Sequence, residues 1–231
     1  MRFPLPHQKG LSVLALAAFS VTAGATHAAE PTATIIEFHN AAQDHYFITA
    51  SPAEAAALDA GFANPGWTRT GVEWKAWGTA AEMQGAVPVC RFAAAAGAGP
   101  GSYYYTASAN ECRTLKQNRG WKFEGNAFWV ELPDGTSASR SCRAGTTPVY
   151  RSYRAGNTPT EGNYRLVTDL TVHVKMAGSS TLQGVVMCSP LSSAQIDADI
   201  TRLLEQATLM TGPSRSRTRP DARPTSTLPR S

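Results

Sequence analysis

Thr49-Ala-Ser-Pro-Ala-Glu54 returns 57 residues later as Thr106-Ala-Ser-Ala-Asn-Glu111. In each copy a serine stands three residues before a glutamate. This is the capping-box pattern, in which the hydroxyl takes an unpaired N–H at a helix start and the carboxylate answers it. Pro52 fits the first helical position, where its missing N–H is not needed. The spacing predicts helices over 53–60 and 110–118. Working outward, Ile35-Ile36-Glu37-Phe38 matches Val89-Cys90-Arg91-Phe92, and His45-Tyr46-Phe47-Ile48 matches Ser102-Tyr103-Tyr104-Tyr105. Downstream, Gly66-Trp67-x-x-x-Gly71 matches Gly120-Trp121-x-x-x-Gly125. Four blocks in one order define a unit of strand, strand, helix, strand. A third, worn copy holds Val149-Tyr150-Arg151, Tyr164-Arg165-Leu166-Val167-Thr168 and Gly184-Val185-Val186-Met187. Anchored on Thr168, it puts Leu170 at the capping serine, His173 at the glutamate, and Ser179-Ser180 in place of Gly-Trp.

A unit of about 50 residues cannot bury its own apolar face, so the copies are expected to pack on one another. The expected fold is α+β and β-dominated. Three units, at 34–87, 88–141 and 142–191, form a single domain over 30–191 in a pseudo-threefold, trefoil-like arrangement. Ser192-x-x-Gln195 opens one further helix over 192–210, whose apolar stripe is Ile196, Ile200, Leu203, Leu204 and Ala207. Docking on its own core is the expectation, and binding to a partner is the alternative.

Both ends of the chain differ from this body. Residues 1–29 read as an export signal: Arg2 and Lys9, then an apolar run over 11–25, then small residues with cleavage after Ala25, Ala28 or Ala29. No other stretch approaches the roughly 18 apolar residues of a membrane span. Residues 211–231 are rich in Arg, Pro, Ser and Thr and are expected to be disordered. The formal charge of +4, from 21 Lys+Arg against 17 Asp+Glu, divides unevenly. The tail carries +4, the leader +2 and the body −2, counted along the sequence. A slightly acidic body argues against a nucleic-acid partner. In an exported chain Cys90, Cys112, Cys142 and Cys188 are expected as disulfides, paired Cys90–Cys112 and Cys142–Cys188 so that each closes one unit.

The blocks resemble a secreted bacterial repeat family of unknown function, whose units run V-Y-R-x-Y, H-x-Y-T-T, then G-W-x-x-E-G-x-x-F. The resemblance rests on Asp44-His45-Tyr46-Phe47-Ile48-Thr49, on 120–128 (Gly-Trp-Lys-Phe-Glu-Gly-Asn-Ala-Phe), and on Pro148-Val149-Tyr150-Arg151. It covers residues 34–191. Ser102 and Tyr164 stand where the family has histidine. The resemblance implies a binding or adhesive module and brings no catalytic residues.

Catalytic constellations are hard to find. There is no H-E-x-x-H, nucleophile elbow or phosphate-binding loop, and no metal or cofactor is expected. Glu54 and Glu111 could be imagined as a carboxylate pair for glycoside hydrolysis, but the capping box explains both. An envelope hydrolase is therefore the least supported activity. Aromatic residues are the better signal, because Trp and Tyr offer sugars a flat apolar face beside a polar edge. The candidate ligand-binding set is Trp67 and Trp121 at a rim, with His45, Arg69, Lys122, Tyr46 and Tyr103. The expected partner is a cell-envelope polysaccharide or a surface protein, met in the periplasm or outside the cell.

Overall fold

A computed structural model describes residues 30–62, 66–95, 101–136, 139–156 and 161–210. The expected leader over 1–29 and tail over 211–231 lie outside them. Among the described residues the fold is β-dominated α+β, with three similar three-stranded antiparallel sheets and four α-helices. The first sheet holds β1 (Ala33–Asn40), β2 (His45–Thr49) and β3 (Trp67–Ala76). The second holds β4 (Val87–Ala94), β5 (Tyr103–Thr106) and β6 (Trp121–Val130). The third holds β7 (Thr146–Arg154), β8 (Asn163–Val167) and β9 (Thr181–Pro190). In each, the first strand lies between the other two. Helices α1 (Pro52–Asp59), α2 (Ala109–Gln117) and α3 (Leu170–Lys175) follow the second strands, and α4 (Ser193–Met210) closes the described chain. Among the described residues no helix is long and apolar enough to cross a membrane.

Alternation along the central strands explains the core. Ile35, Val89 and Val149 hold matching positions in β1, β4 and β7, and all are fully buried. They join Trp74, Phe128, Met187, Ile48, Tyr105 and Leu166 in one cluster drawn from all three sheets. At Gly71, Gly125 and Gly184 the backbone takes a positive φ of 84°, 126° and 73°, which favours glycine. Each lies opposite an irregularity in strand pairing. The sheets also join at their outer strands. Trp77 and Trp129 exchange backbone hydrogen bonds of 3.1 and 2.9 Å, as do Glu131 and Cys188 at the same distances. The corresponding residue of the third sheet is Pro190, which has no N–H to donate. There Ser189 donates its hydroxyl to the Lys75 carbonyl at 2.6 Å.

Both disulfides form as expected, Cys90–Cys112 and Cys142–Cys188. Cys90–Cys112 ties α2 to β4. At the matching place in the first sheet Ala55 packs near Ile36, and in the third His173 stacks on Tyr150 at 4.9 Å.

Two expectations need correction. Register places Glu37, Arg91 and Arg151 opposite Ile48, Tyr105 and Leu166. Val167, not Thr168, therefore matches Thr49 and Thr106. The third helix is capped by Asp169, whose carboxylate accepts from the N–H groups of Thr171 and Val172. Val172 takes the glutamate position, and His173 falls on the buried side. One residue of slip moves every strand assignment to the other face of the sheet and turns each helix assignment by about 100°. The second correction concerns α4. Its capping box forms in both directions between Ser192 and Gln195. Yet none of its residues is buried, and Ile200, Leu203 and Leu204 stay half or more exposed. At its start the Ser193 N–H donates to Glu30.

Candidate functional site

The capping serines behave as the sequence predicts, accepting from the backbone N–H of Glu54 and Glu111. The carboxylates do not return the bond. Thr49 and Thr106 accept from the N–H of Ser51 and Ser108 instead, at 2.9 and 3.0 Å, and donate their hydroxyls to Glu54 and Glu111. This frees each carboxylate to reach the next sheet. Glu54 pairs with Arg91 at 2.8 Å and Glu111 with Arg151 at 3.2 Å. The third sheet has only Val172 at that helix position. Its link to the first sheet is reversed in charge: Arg165 binds fully buried Glu37 through two hydrogen bonds of 2.9 and 2.8 Å. Each of these central-strand groups also has a partner in its own sheet: Thr70 for Glu37, Glu124 for Arg91, Gln183 for Arg151.

These pairs mark three junctions. At the first, Tyr103 packs edge-on to Phe47, ring centres 4.6 Å apart, and against Trp67 at 6.2 Å. At the second, Tyr164 packs against Tyr104 at 4.6 Å and Trp121 at 6.4 Å. At the third, the ring is Tyr46, the residue matching Phe47 and Tyr104 is Arg165, and the residue matching both tryptophans is Ser180. The Arg165 guanidinium lies 4.3 Å over Tyr46. His39 stacks on the same ring at 4.6 Å and bonds Asp44 at 2.9 Å.

The third junction, which has no indole, borders a cavity of about 300 Å³. Tyr46, Arg154, Asn163 and Arg165 line it from the strands and Asp44 from the turn before β2, with Val172, Lys175, Met176, Ser179 and Ser180 from α3 and the turn after it. Ser180 Oγ is buried there without a hydrogen-bond partner among the described residues. Burial raises the Tyr46 phenol above its ordinary value of 10.0, so its O–H remains a donor at neutral pH.

The sequence-derived candidates fall in several places. Trp67 and Trp121 are buried at 8% exposure and plug two junctions; their indoles are core, not rim. Trp121 has one border on a second cavity, of about 460 Å³, with Tyr104, Glu111, Asn118 and Tyr164. Tyr103 is part of the first plug. Arg69 lies outside, held by Asp59 at 2.8–3.1 Å, and Lys122 is exposed on β6. Only Tyr46 lines the third junction. His45 lines a neighbouring cavity, where burial lowers its pKa below 6.5. Glu54 and Glu111 line separate cavities on separate arginines, so the structure does not bring them together as a carboxylate pair. Burial pushes Glu111 up, but hydrogen bonds from Arg151, Thr106 and Tyr104 outweigh it, leaving its pKa below the usual value. Among the described residues no three His, Cys, Asp or Glu side chains cluster to hold a metal.

One family profile, described as a domain of unknown function (DUF5648), matches the chain twice, over residues 13–131 and 38–167. The chain belongs to the DUF5648 family. No curated protein and no solved structure matches it. The matches run from within the expected leader to the end of β8, leaving α3, β9 and α4 outside the matched spans. Sequence reasoning missed Arg154, Asn163, Arg165 and Lys175. The exchange of Gly-Trp for Ser179-Ser180 was visible, but Arg165 was hidden by the misplaced register.

Proposed function

We propose that this chain is an exported, non-catalytic module that binds a cell-envelope glycan at the third junction. The observation that carries the reading is the missing plug. The second junction keeps a cavity of about 460 Å³ beside its tryptophan, whereas at the third the tryptophan position is Ser180 and the cavity, of small-ligand size, is lined by cations and hydroxyls. A sugar needs an apolar wall and convergent polar groups. Val172 and Met176 offer the first; the hydroxyls of Tyr46 and Ser180 and the Asn163 amide offer the second. The salt-bridged carboxylates favour binding over catalysis, since a glycosidase acid must hold its proton near neutral pH, and Glu111 is shifted the other way.

We place this site in a pseudo-threefold repeat domain over 30–191, preceded by a cleaved leader and followed by a basic tail. Support comes from the junction contacts, each joining one sheet to the next and the last to the first. Two disulfides suit a secreted or periplasmic setting. The test is retention of the exported chain on insoluble envelope polysaccharide and on a broad glycan array. Binding to at least one glycan is expected; folded protein that binds none overturns the reading. A second reading, a protein-interaction module, is favoured by the exposed apolar side of α4. A partner lost on deleting residues 192–231 would support it.

A further inference from the structure

We infer that the third junction is selective for an acidic sugar, a ring bearing a carboxylate; this rests on the glycan reading above. Three cations reach the cavity from three elements: Arg154 from β7, Arg165 from β8 and Lys175 from α3. Their own anions do not use them up. Arg154 pairs with Asp44 at 2.5 Å, the one carboxylate lining the cavity among the described residues. Arg165 spends two of its five N–H donors on the Glu37 carboxylate and keeps the others. Lys175 forms no ion pair among the described residues; Asp169 acts on it only at longer range. Ser180 Oγ is buried and has no hydrogen-bond partner among the described residues. A buried hydroxyl left unpaired is costly, and an incoming carboxylate or sugar hydroxyl removes that cost.

The other junctions show why this charge is particular to the third. There the cation over the aromatic ring, Arg91 or Arg151, comes from the central strand of the following sheet and its carboxylate from the preceding helix. At the third junction the acid, Glu37, sits on the central strand and is fully buried, while the cation comes from β8. Reversal puts Arg165 where an aromatic ring would be, beside the space where an indole would be. A neutral sugar could answer the Ser180 hydroxyl but would leave the Lys175 ammonium without a counter-charge. A carboxylate within the same ring-sized volume meets both by charge-assisted hydrogen bonds, which are the stronger kind.

The test uses full-length exported chain and two probes of one shape, tetragalacturonate and its methyl ester, titrated by calorimetry. The acid should bind at least tenfold more tightly than the ester, and the preference should shrink with added salt. Lys175→Glu should cost the acid at least tenfold and change ester binding little. Ser180→Trp, which restores the plug of the other junctions, should abolish binding of both. Equal affinity for acid and ester, with some glycan bound, overturns the acidic-sugar inference and leaves the glycan reading standing. Acid preference that survives both variants places the site elsewhere and overturns the inference as well. Displacement by sodium acetate at the same concentration would show that the ring contributes nothing and would also contradict it. If Ser180→Trp does not fold, Lys175→Glu, on the exposed side of α3, decides alone.

Discussion

The second and third junctions are built to one plan with opposite contents. At the second, Trp121 and Tyr104 receive Tyr164, and Arg151 reaches back to Glu111. At the third, Ser180 and Arg165 receive Tyr46, and Arg165 reaches forward to Glu37. Neither lacks an ion pair, so the contact between sheets survives the exchange. What changes is occupancy: one indole is replaced by a hydroxymethyl group and one phenol by a guanidinium. Apolar volume is lost, and cationic, hydrogen-bonding surface is gained. A position that only needed filling would be expected to hold another hydrophobe, because an unfilled site costs stability.

The largest expected effect separates these two roles. Trp121→Ala should destabilise by about 3–5 kcal/mol, the usual cost of emptying a buried aromatic site. Ser180→Ala should be close to neutral, since it removes a hydroxyl with no partner. Urea midpoints at unchanged m-value would show this, and equal losses would break the comparison. Next come the arginines. Arg165→Met strands the fully buried Glu37 and should cost about 3–5 kcal/mol. Arg151→Met strands Glu111, whose side chain is 41% exposed, and should cost clearly less. The reverse order would contradict the assigned burial. Third, replacing Cys90 and Cys112 by Ala opens a loop of separation 22 and should cost about 3 kcal/mol. The first sheet makes the same helix contact with Ala55 and needs no such bond.

The smallest effect is on pH dependence. Burial holds the pKa of His45 and His173 below 6.5 in the folded chain. The unfolded chain then binds more protons, so stability is full above pH 6.5 and declines as the pH falls toward the folded values. Glu111, with a folded pKa below 4.5, adds a further loss under more acidic conditions. The melting temperature should therefore fall from pH 7 to 5 and fall again toward pH 3. His45→Asn should flatten the first step, and a transition that rises on acidification would contradict the sign.

Much of this architecture was legible in the chain. The Ser-x-x-Glu boxes and the Gly-Trp blocks point to α1, α2, β3 and β6, because each is a local pattern with a local physical cause, and both disulfide pairings follow from letting each bridge close one unit. The third unit was harder. Its anchor threonine is decoyed by Thr168, one residue past Val167, and only strand pairing resolves which residue faces the sheet. The same slip concealed Arg165. Trp67 and Trp121 were placed at a rim because a glycine turn suggests exposure, and their burial depends on Tyr103 and Tyr164 arriving from other sheets. Glu54 and Glu111 looked fully explained by capping; their link to Arg91 and Arg151 is long-range and leaves no trace in local spacing.

Chemical-shift mapping of tetragalacturonate on isotope-labelled full-length chain tests the central claim most directly. The account predicts changes clustered at Tyr46, Asn163, Lys175 and Ser180, with the Trp121 indole N–H unmoved. Changes centred on Trp121 and Asn118, or on α4 with the third junction silent, would contradict it.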